Sequence, residues 1–223
     1  MYGTTDAYPH GEDIIFYLTV YNEALSQPAE PADLDVEGLL KGAYLYQHAT
    51  GGDVTARIMA SGIALPWAIK AQEILAADYG VAADVWSVTS WNELARDAVE
   101  TEKWNLNNPG EYARMPYITA KLMDTSTVTV AVSDYMRAVP DQIARWVPGP
   151  WQSLGTDGFG FADTRAAARR KFQVDAESIV VSVLQSLAQR GTVTPETVRE
   201  AFNRFRIDDP TAVSGLPQEG GDA

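Results

Sequence analysis

The sequence predicts an α/β fold, a mostly parallel sheet in three αβα layers, and three observations carry that reading. Short apolar runs alternate with stretches whose apolar residues recur at helical spacing. The segments between the runs are long enough to hold the crossover helices that parallel neighbours require, which places helices on both faces of the sheet. The 223 residues, 46% hydrophobic and 10% aromatic, suffice for one substantial core and are too apolar for a disordered chain.

The first apolar run, 14–21, lies between Gly11-Glu12-Asp13 and Asn22-Glu23 and reads as a buried strand. Gln27-Pro28-Ala29-Glu30-Pro31-Ala32-Asp33 follows. Proline lacks a backbone donor and fixes its own φ, so this stretch is a connector and marks a domain boundary. Val36, Leu39, Leu40, Ala43 and Tyr44 share one stripe and predict a single helix capped by Asp35. After the turn at Gly51-Gly52, residues 54–59 read as a strand, and Leu65, Ala68, Ile69, Leu75 and Ala76 as a helix ending near Gly80.

Residues 83–89 repeat the strand signal, and Ser90-Trp91-Asn92-Glu93 forms a capping box that opens the next helix. A long loop, 104–116, contains Asn107-Asn108-Pro109-Gly110. Residues 127–132 are the next strand; Ser133 or Asp134 then caps a helix bearing Met136, Val139, Ile143 and Trp146, stopped by Pro148-Gly149-Pro150. A short strand is expected at 151–154. Two patterned helices close the fold, one through Val180, Val183, Leu184, Leu187 and Ala188, the other through Val198, Ala201, Phe202 and Phe205 and opened by Thr194-Pro195. Beyond Ile207 the chain is polar and glycine-rich, as expected of a loose tail.

Charge and composition exclude several functions. With 30 acidic against 17 basic residues the formal charge is −13, which repels phosphate backbones and anionic lipid, so neither nucleic acid nor membrane is an expected partner. The absence of cysteine removes disulfides, thiolate nucleophiles and iron–sulfur clusters, and agrees with a reducing, cytoplasmic location. No apolar run approaches the roughly 20 residues of a membrane span, and Met1-Tyr2-Gly3-Thr4-Thr5-Asp6 lacks the basic and apolar regions of a signal peptide.

Catalytic chemistry is sparse. The two histidines are His10, in the leader, and His48, at a predicted helix end; neither has a neighbouring residue pattern that would orient a general base. Asp157, Asp163 and the Asp208-Asp209 pair lack the spacing of a calcium loop and read as solvated charge. No Gly-x-Ser-x-Gly elbow occurs. No catalytic, cofactor-binding or metal-ligating residue is therefore assigned.

The most distinctive local feature is Gly155-Thr156-Asp157-Gly158-Phe159-Gly160, ahead of Arg165, Arg169 and Arg170. Bare amides there would bind an anion, a reading in which Arg165→Ala abolishes phosphate binding, but the lysine of a nucleotide loop and the dinucleotide spacing are both missing. A tight turn and close packing is the plainer reading. Gly155, Asp157, Gly158, Phe159, Gly160 and Arg165 are accordingly candidates for an interface or anion loop. Six tryptophans, at 67, 86, 91, 104, 146 and 151, are mostly expected in the core, and so much aromatic area also suits an interface between subunits or domains.

Four stretches narrow the assignment further. Phe16-Tyr17-Leu18-Thr19-Val20-Tyr21-Asn22-Glu23, Glu37-Gly38-Leu39-Leu40-Lys41-Gly42, Asp84-Val85-Trp86-Ser87-Val88-Thr89-Ser90-Trp91-Asn92-Glu93-Leu94 and Leu154-Gly155-Thr156-Asp157-Gly158-Phe159-Gly160 occur in one order. Together they resemble the homodimeric, acetyl-transferring pyruvate dehydrogenases of actinobacterial type, oxidoreductases of the transketolase-like, thiamine-diphosphate-dependent group. Asp134-Tyr135-Met136, Asp163-Thr164-Arg165 and Val174-Asp175-Ala176-Glu177-Ser178 extend the match. Thr4 to His10 reads as an insertion, and Phe161-Ala162 replaces a basic residue and serine.

The resemblance runs over about 11–210 but reaches only the carboxyl-terminal part of that longer enzyme. It implies that 1–23 are a leader and the last strand of the upstream pyrimidine-binding domain, 24–35 a linker, 36–207 a transketolase-like carboxyl-terminal domain and 208–223 a flexible tail. It further implies that thiamine diphosphate, magnesium and the catalytic groups belong to domains this chain lacks. The expected role is structural and dimer-supporting, with the chain inactive alone, and a beginning at an internal methionine suggests a truncated or split gene product. The implied partners are the homodimer mate, the upstream catalytic domains and the complex's dihydrolipoyl acetyltransferase. The alternative is a non-enzymatic interaction module, or one half of a split enzyme docking a partner chain.

Overall fold

The computed structural model describes residues 28–53, 55–160, 162–209 and 211–212. In chain order the elements are α1 (Val36–Lys41), β1 (Ala43–Gln47), β2 (Ala56–Ala60), α2 (Ala64–Tyr79), β3 (Ala83–Val88), α3 (Trp91–Asn107), α4 (Tyr117–Lys121), β4 (Val128–Val132), α5 (Ala138–Asp141), a 3-10 turn (Ala144–Trp146), β5 (Trp151–Leu154), α6 (Arg165–Lys171), α7 (Ala176–Gln189) and α8 (Pro195–Phe205). The strand expected at 14–21, His10 and the tail from 213 lie outside the described residues.

The sheet order is β1-β3-β2-β4-β5, parallel throughout except for β1, which runs antiparallel to β3. Alternation along β2 and β4 feeds two cores. Ala56, Ile58, Ala60, Val128, Val130 and Val132 pack under α2, α7 and α8. Met59 and Ala131 face the other way, joining Trp86, Trp91, Leu94, Ile118, Leu122 and Ile143 around α3, α4 and α5.

Four sequence expectations need correction. The helix from Val36 stops at Lys41, and Ala43 and Tyr44 begin β1 instead. Gly42 turns the chain with φ 106°, where a Cβ would lie 2.6 Å from the Ser90 carbonyl oxygen, and its own carbonyl accepts from Thr89 and Ser90 at 2.9 and 3.1 Å. Only glycine fits that left-handed, crowded position. His48 consequently follows a strand, not a helix.

The capping box is half made. Ser90 Oγ accepts from Glu93 N at 3.1 Å, but Ser90 N already serves Gly42, and the Glu93 carboxylate turns to Arg96. Next, α3 runs on to Asn107, so the loop begins later than predicted. Finally, the single helix expected after Ser133 is divided into α5 and the 3-10 turn. Pro140 within α5 has no N–H to carry a longer helix, and Ser133 Oγ closes a local turn by accepting from Tyr135 N at 3.0 Å.

Candidate functional site

The connection from β2 leads outward to β3, and the chain then returns across the sheet to β4 on β2's other side. The carboxyl ends of β2 and β4 therefore flank the point where strand order reverses, the place where open α/β sheets characteristically bind ligands. Here that crevice is laced shut. Ser61 N donates to the Val132 carbonyl at 3.2 Å, and Ser61 Oγ donates to Ser133 Oγ at 3.1 Å, with both serines buried.

Beside the crevice lies a cavity of about 180 Å³, bounded by Trp67, Asp134, Thr156, Arg169 and Phe172 among mainly apolar neighbours. The Arg169 guanidinium carbon sits 5.1 Å from the Trp67 ring centroid, a cation–π separation. His48 stands at the opposite end of the sheet, because β1 runs antiparallel and its end lies level with Val85 near the start of β3. The cavity has no imidazole and no nucleophile–base pair among its lining residues.

The glycine loop borders this region, and its residues take different roles. A Cβ on Gly155 would come within 2.4 Å of the Tyr135 carbonyl oxygen, so glycine there permits close approach of the β5 end to the turn after β4. Asp157 accepts from Arg137 N at 2.9 Å and from Arg137 Nε at 2.5 Å. Those two bonds hold its carboxyl below the usual carboxylate range, the backbone donor contributing most. Gly158 takes φ 83°, Gly160 faces open space, and Phe159 is 98% exposed. Arg165 is exposed in the first turn of α6, where Thr164 Oγ1 already accepts from Ala167 N.

Arg170 has a different fate from the one its place after the glycines implied. It is 2% exposed and bonds Asp175 at 2.5 Å, the Phe205 and Arg206 carbonyls at 2.6 and 3.2 Å, and Glu177 at 3.4 Å. Asp175 simultaneously caps α7 by accepting from Ser178 N at 3.0 Å. The pair thus ties α6, the start of α7 and the end of α8 together. Sequence reasoning missed this knot because Arg170 and Asp175 lie five positions apart across a turn, a spacing with no helical period.

The carboxylates considered for metal binding are held in local structure. Asp163 accepts from Thr164 N at 2.7 Å, and Asp209 accepts from the Thr211 amide and hydroxyl at 2.8 and 2.6 Å. The model of the transketolase-like TK C-terminal domain matches residues 42–175 of this sequence, more than half of the chain. The chain belongs to that family.

This transketolase-like C-terminal domain is 55% identical over 202 residues to the pyruvate dehydrogenase E1 component of Mycolicibacterium smegmatis, and 53% identical over 207 residues to that of Corynebacterium glutamicum. The matches cover 90% and 93% of this chain but 22% of either relative, in each case its carboxyl-terminal part. The chain thus spans about a fifth of the length of the curated relatives it matches. Transketolase from Leishmania mexicana is a solved structure similar over 71% of this chain and 20% of that one, at 20% identity and a TM-score of 0.49. Among the described residues, no helix is long and apolar enough to cross a membrane.

Proposed function

We propose that the chain serves as the structural, dimer-supporting carboxyl-terminal region of the pyruvate-decarboxylating component of a pyruvate dehydrogenase complex. In that reading the intact enzyme uses thiamine diphosphate and magnesium to convert pyruvate into carbon dioxide and an acetyl group on a lipoyl domain. The observation that carries it is the 55% identity to an E1 component over 90% of this chain. The donor set here does not fit the metal: among the described residues, no three of His, Cys, Asp or Glu converge to hold an ion. The ligands are assigned to the rest of the longer protein.

The proposed layout keeps 1–23 with the upstream domain, 24–35 as linker, 36–207 as the carboxyl-terminal domain and 208–223 as tail. The loop of Gly155, Asp157, Gly158, Phe159 and Gly160, with Arg165, is assigned to an interface with the homodimer mate or the upstream domains. Its exposed Phe159 and its engaged Asp157 support contact with protein over capture of an anion.

Reconstitution tests the proposal. An E1 component cut before its carboxyl-terminal domain is mixed with this chain, and pyruvate decarboxylation is followed. The expected result is activity from the mixture and none from this chain alone. Turnover by the isolated chain, or calorimetric binding of thiamine diphosphate with magnesium to it, overturns the reading.

One observation favours the second reading, an interaction module or split-enzyme half. Asn105 brackets Arg114 through two hydrogen bonds of 2.9 and 2.7 Å, and the segment so held displays Tyr112 at 98% and Leu106 at 80% exposure. A prepositioned loop with bare apolar side chains suits a protein partner. Pull-down of partners unrelated to the complex decides for it.

A further inference from the structure

One face of α7 carries a polar stripe, Ser178, Gln185 and Gln189, turned toward β5 and α8. With Gln152 of β5 it borders a groove of about 240 Å³ floored by Val198 and Phe202. No charged side chain lines this groove, although the chain carries a formal charge of −13. A second cavity of about 500 Å³ shares Gln185, Gln189, Val198 and Phe202 and prolongs it toward Pro195 and the exposed Arg199. At its inner end Ser178 is 2% exposed, and its hydroxyl has no hydrogen-bond partner.

A buried hydroxyl without a partner carries a desolvation cost that a ligand donor or acceptor relieves. We propose that this groove binds an extended, uncharged segment of a partner polypeptide through its main-chain amides. A glutamine carboxamide is the same chemical group as a peptide unit, offering a donor and an acceptor side by side, so each glutamine can pair reciprocally with one peptide group. Gln152 reaches only the carbonyl of its neighbour Ser153, at 3.4 Å. From Ser178 to Gln189 the helix rises about 16 Å at 1.5 Å per residue, the span of roughly five extended residues. Alternate side chains of such a segment rest on Val198 and Phe202. Within the groove itself, whose lining holds no charge, a charged side chain would be buried without a counter-charge, which is strongly unfavourable; Arg199 lines only the outer cavity.

Amide NMR titration of the 223-residue chain with an acetylated and amidated alanine–valine pentapeptide tests this. Saturable shifts are expected at the Gln185 and Gln189 side-chain amides and along α7. Ser178→Ala leaves the free fold intact, since the hydroxyl bonds nothing there, yet weakens peptide binding about fivefold to tenfold, the worth of one hydrogen bond. Gln185→Ala weakens it similarly. The proposal is overturned by shifts that never saturate, by variants that bind as tightly as the parent, or by a neutral sugar saturating the groove where the peptide does not.

Discussion

The two faces of the sheet solve one packing problem with different materials. Under α2, α7 and α8 the buried core is aliphatic, with Ala64, Ala68 and Ala71 of α2 beside Ala56, Ile58 and Ala60, and Tyr46, Trp67, Tyr79, Phe172 and Phe205 reach it only from partly buried positions. Under α3, α4 and α5 it is aromatic and bulky, with Trp86 and Trp91 buried and Tyr117, Trp146 and Trp151 packed against them. Small residues let a helix approach the sheet closely and leave little room for change. The partly buried rings anchor by their polar tips: Tyr117 Oη donates to the Ala43 carbonyl at 2.9 Å, Trp146 Nε1 to Glu102 at 2.8 Å and Trp151 Nε1 to Asp141 at 2.8 Å. The aliphatic face therefore depends on fit, with one buried ionic knot at its end; the aromatic face depends on many distributed ties.

The sharpest way to break this contrast is to cut the knot. Arg170→Ala leaves the Asp175 carboxylate buried at 0% exposure without its guanidinium, and breaking such a pair costs about 3–5 kcal/mol. Urea unfolding at neutral pH measures it. Arg170→Met combined with Asp175→Ser restores volume, removes the charges and keeps a cap for α7, and should recover most of the loss. If the single variant costs under about 1 kcal/mol, near the level of a surface ion pair, the aliphatic face has no ionic anchor.

Next in size is enlargement. Ala68→Leu pushes α2 away from the sheet at a fully buried position and should cost about 1–3 kcal/mol by overpacking. Leu94→Met on the other face conserves volume and should cost less than about 1.5 kcal/mol. Equal thermal shifts for the two would erase the distinction between fit and distributed ties.

The same contrast explains what the sequence made legible. The four parallel strands were readable because short apolar runs between turn signals admit few alternatives, most clearly in the β-branched β4, and α2, α7 and α8 because an apolar stripe at helical period has one burial solution. Gly42 defeats the same method: Ala43 and Tyr44 continue the α1 period numerically, while the chain reverses one residue before them. Pro140 was visible, but Val139, Ile143 and Trp146 kept a helical spacing across the break it makes. At the candidate site the exceptional glycines were visible, whereas the engagement of Asp157 with Arg137 spans twenty residues and no local pattern encodes it. The Ser178, Gln185 and Gln189 stripe was also present in the sequence, concealed as the polar side of an amphipathic helix.

A smaller effect probes the rings. Trp86 and Trp91 are 8% and 4% exposed, and their indole N–H groups make no hydrogen bond. Trp86→Phe removes contact area and also an unsatisfied donor, whose burial costs about 1–3 kcal/mol, so the two changes oppose each other. The expected net change is within about 1 kcal/mol, well below the 3–5 kcal/mol typical of truncating a buried tryptophan to alanine. A loss of that larger size would show that ring volume alone holds the aromatic face.

The smallest expected effect concerns the turn that feeds β4 after α4. The Thr127 hydroxyl, then the Ser126 hydroxyl and amide, hold the Asp124 carboxyl down from 3.8 to about 2, and the Asp124 carbonyl accepts from buried Arg57 at 2.7 Å. A carboxyl depressed by folding stabilises the fold fully above its unfolded value, and that contribution fades as pH falls toward the folded value. Stability should thus decline from about pH 3.8 to about 2 partly through this residue. Asp124→Asn should flatten that part of the urea-midpoint profile while leaving the region above it nearly parallel to the parent, since the side chain is exposed and screened. An unchanged acid limb would mean that the turn is held by the Arg57 bond to its backbone alone, which would count it among the backbone-anchored ties of the aromatic face.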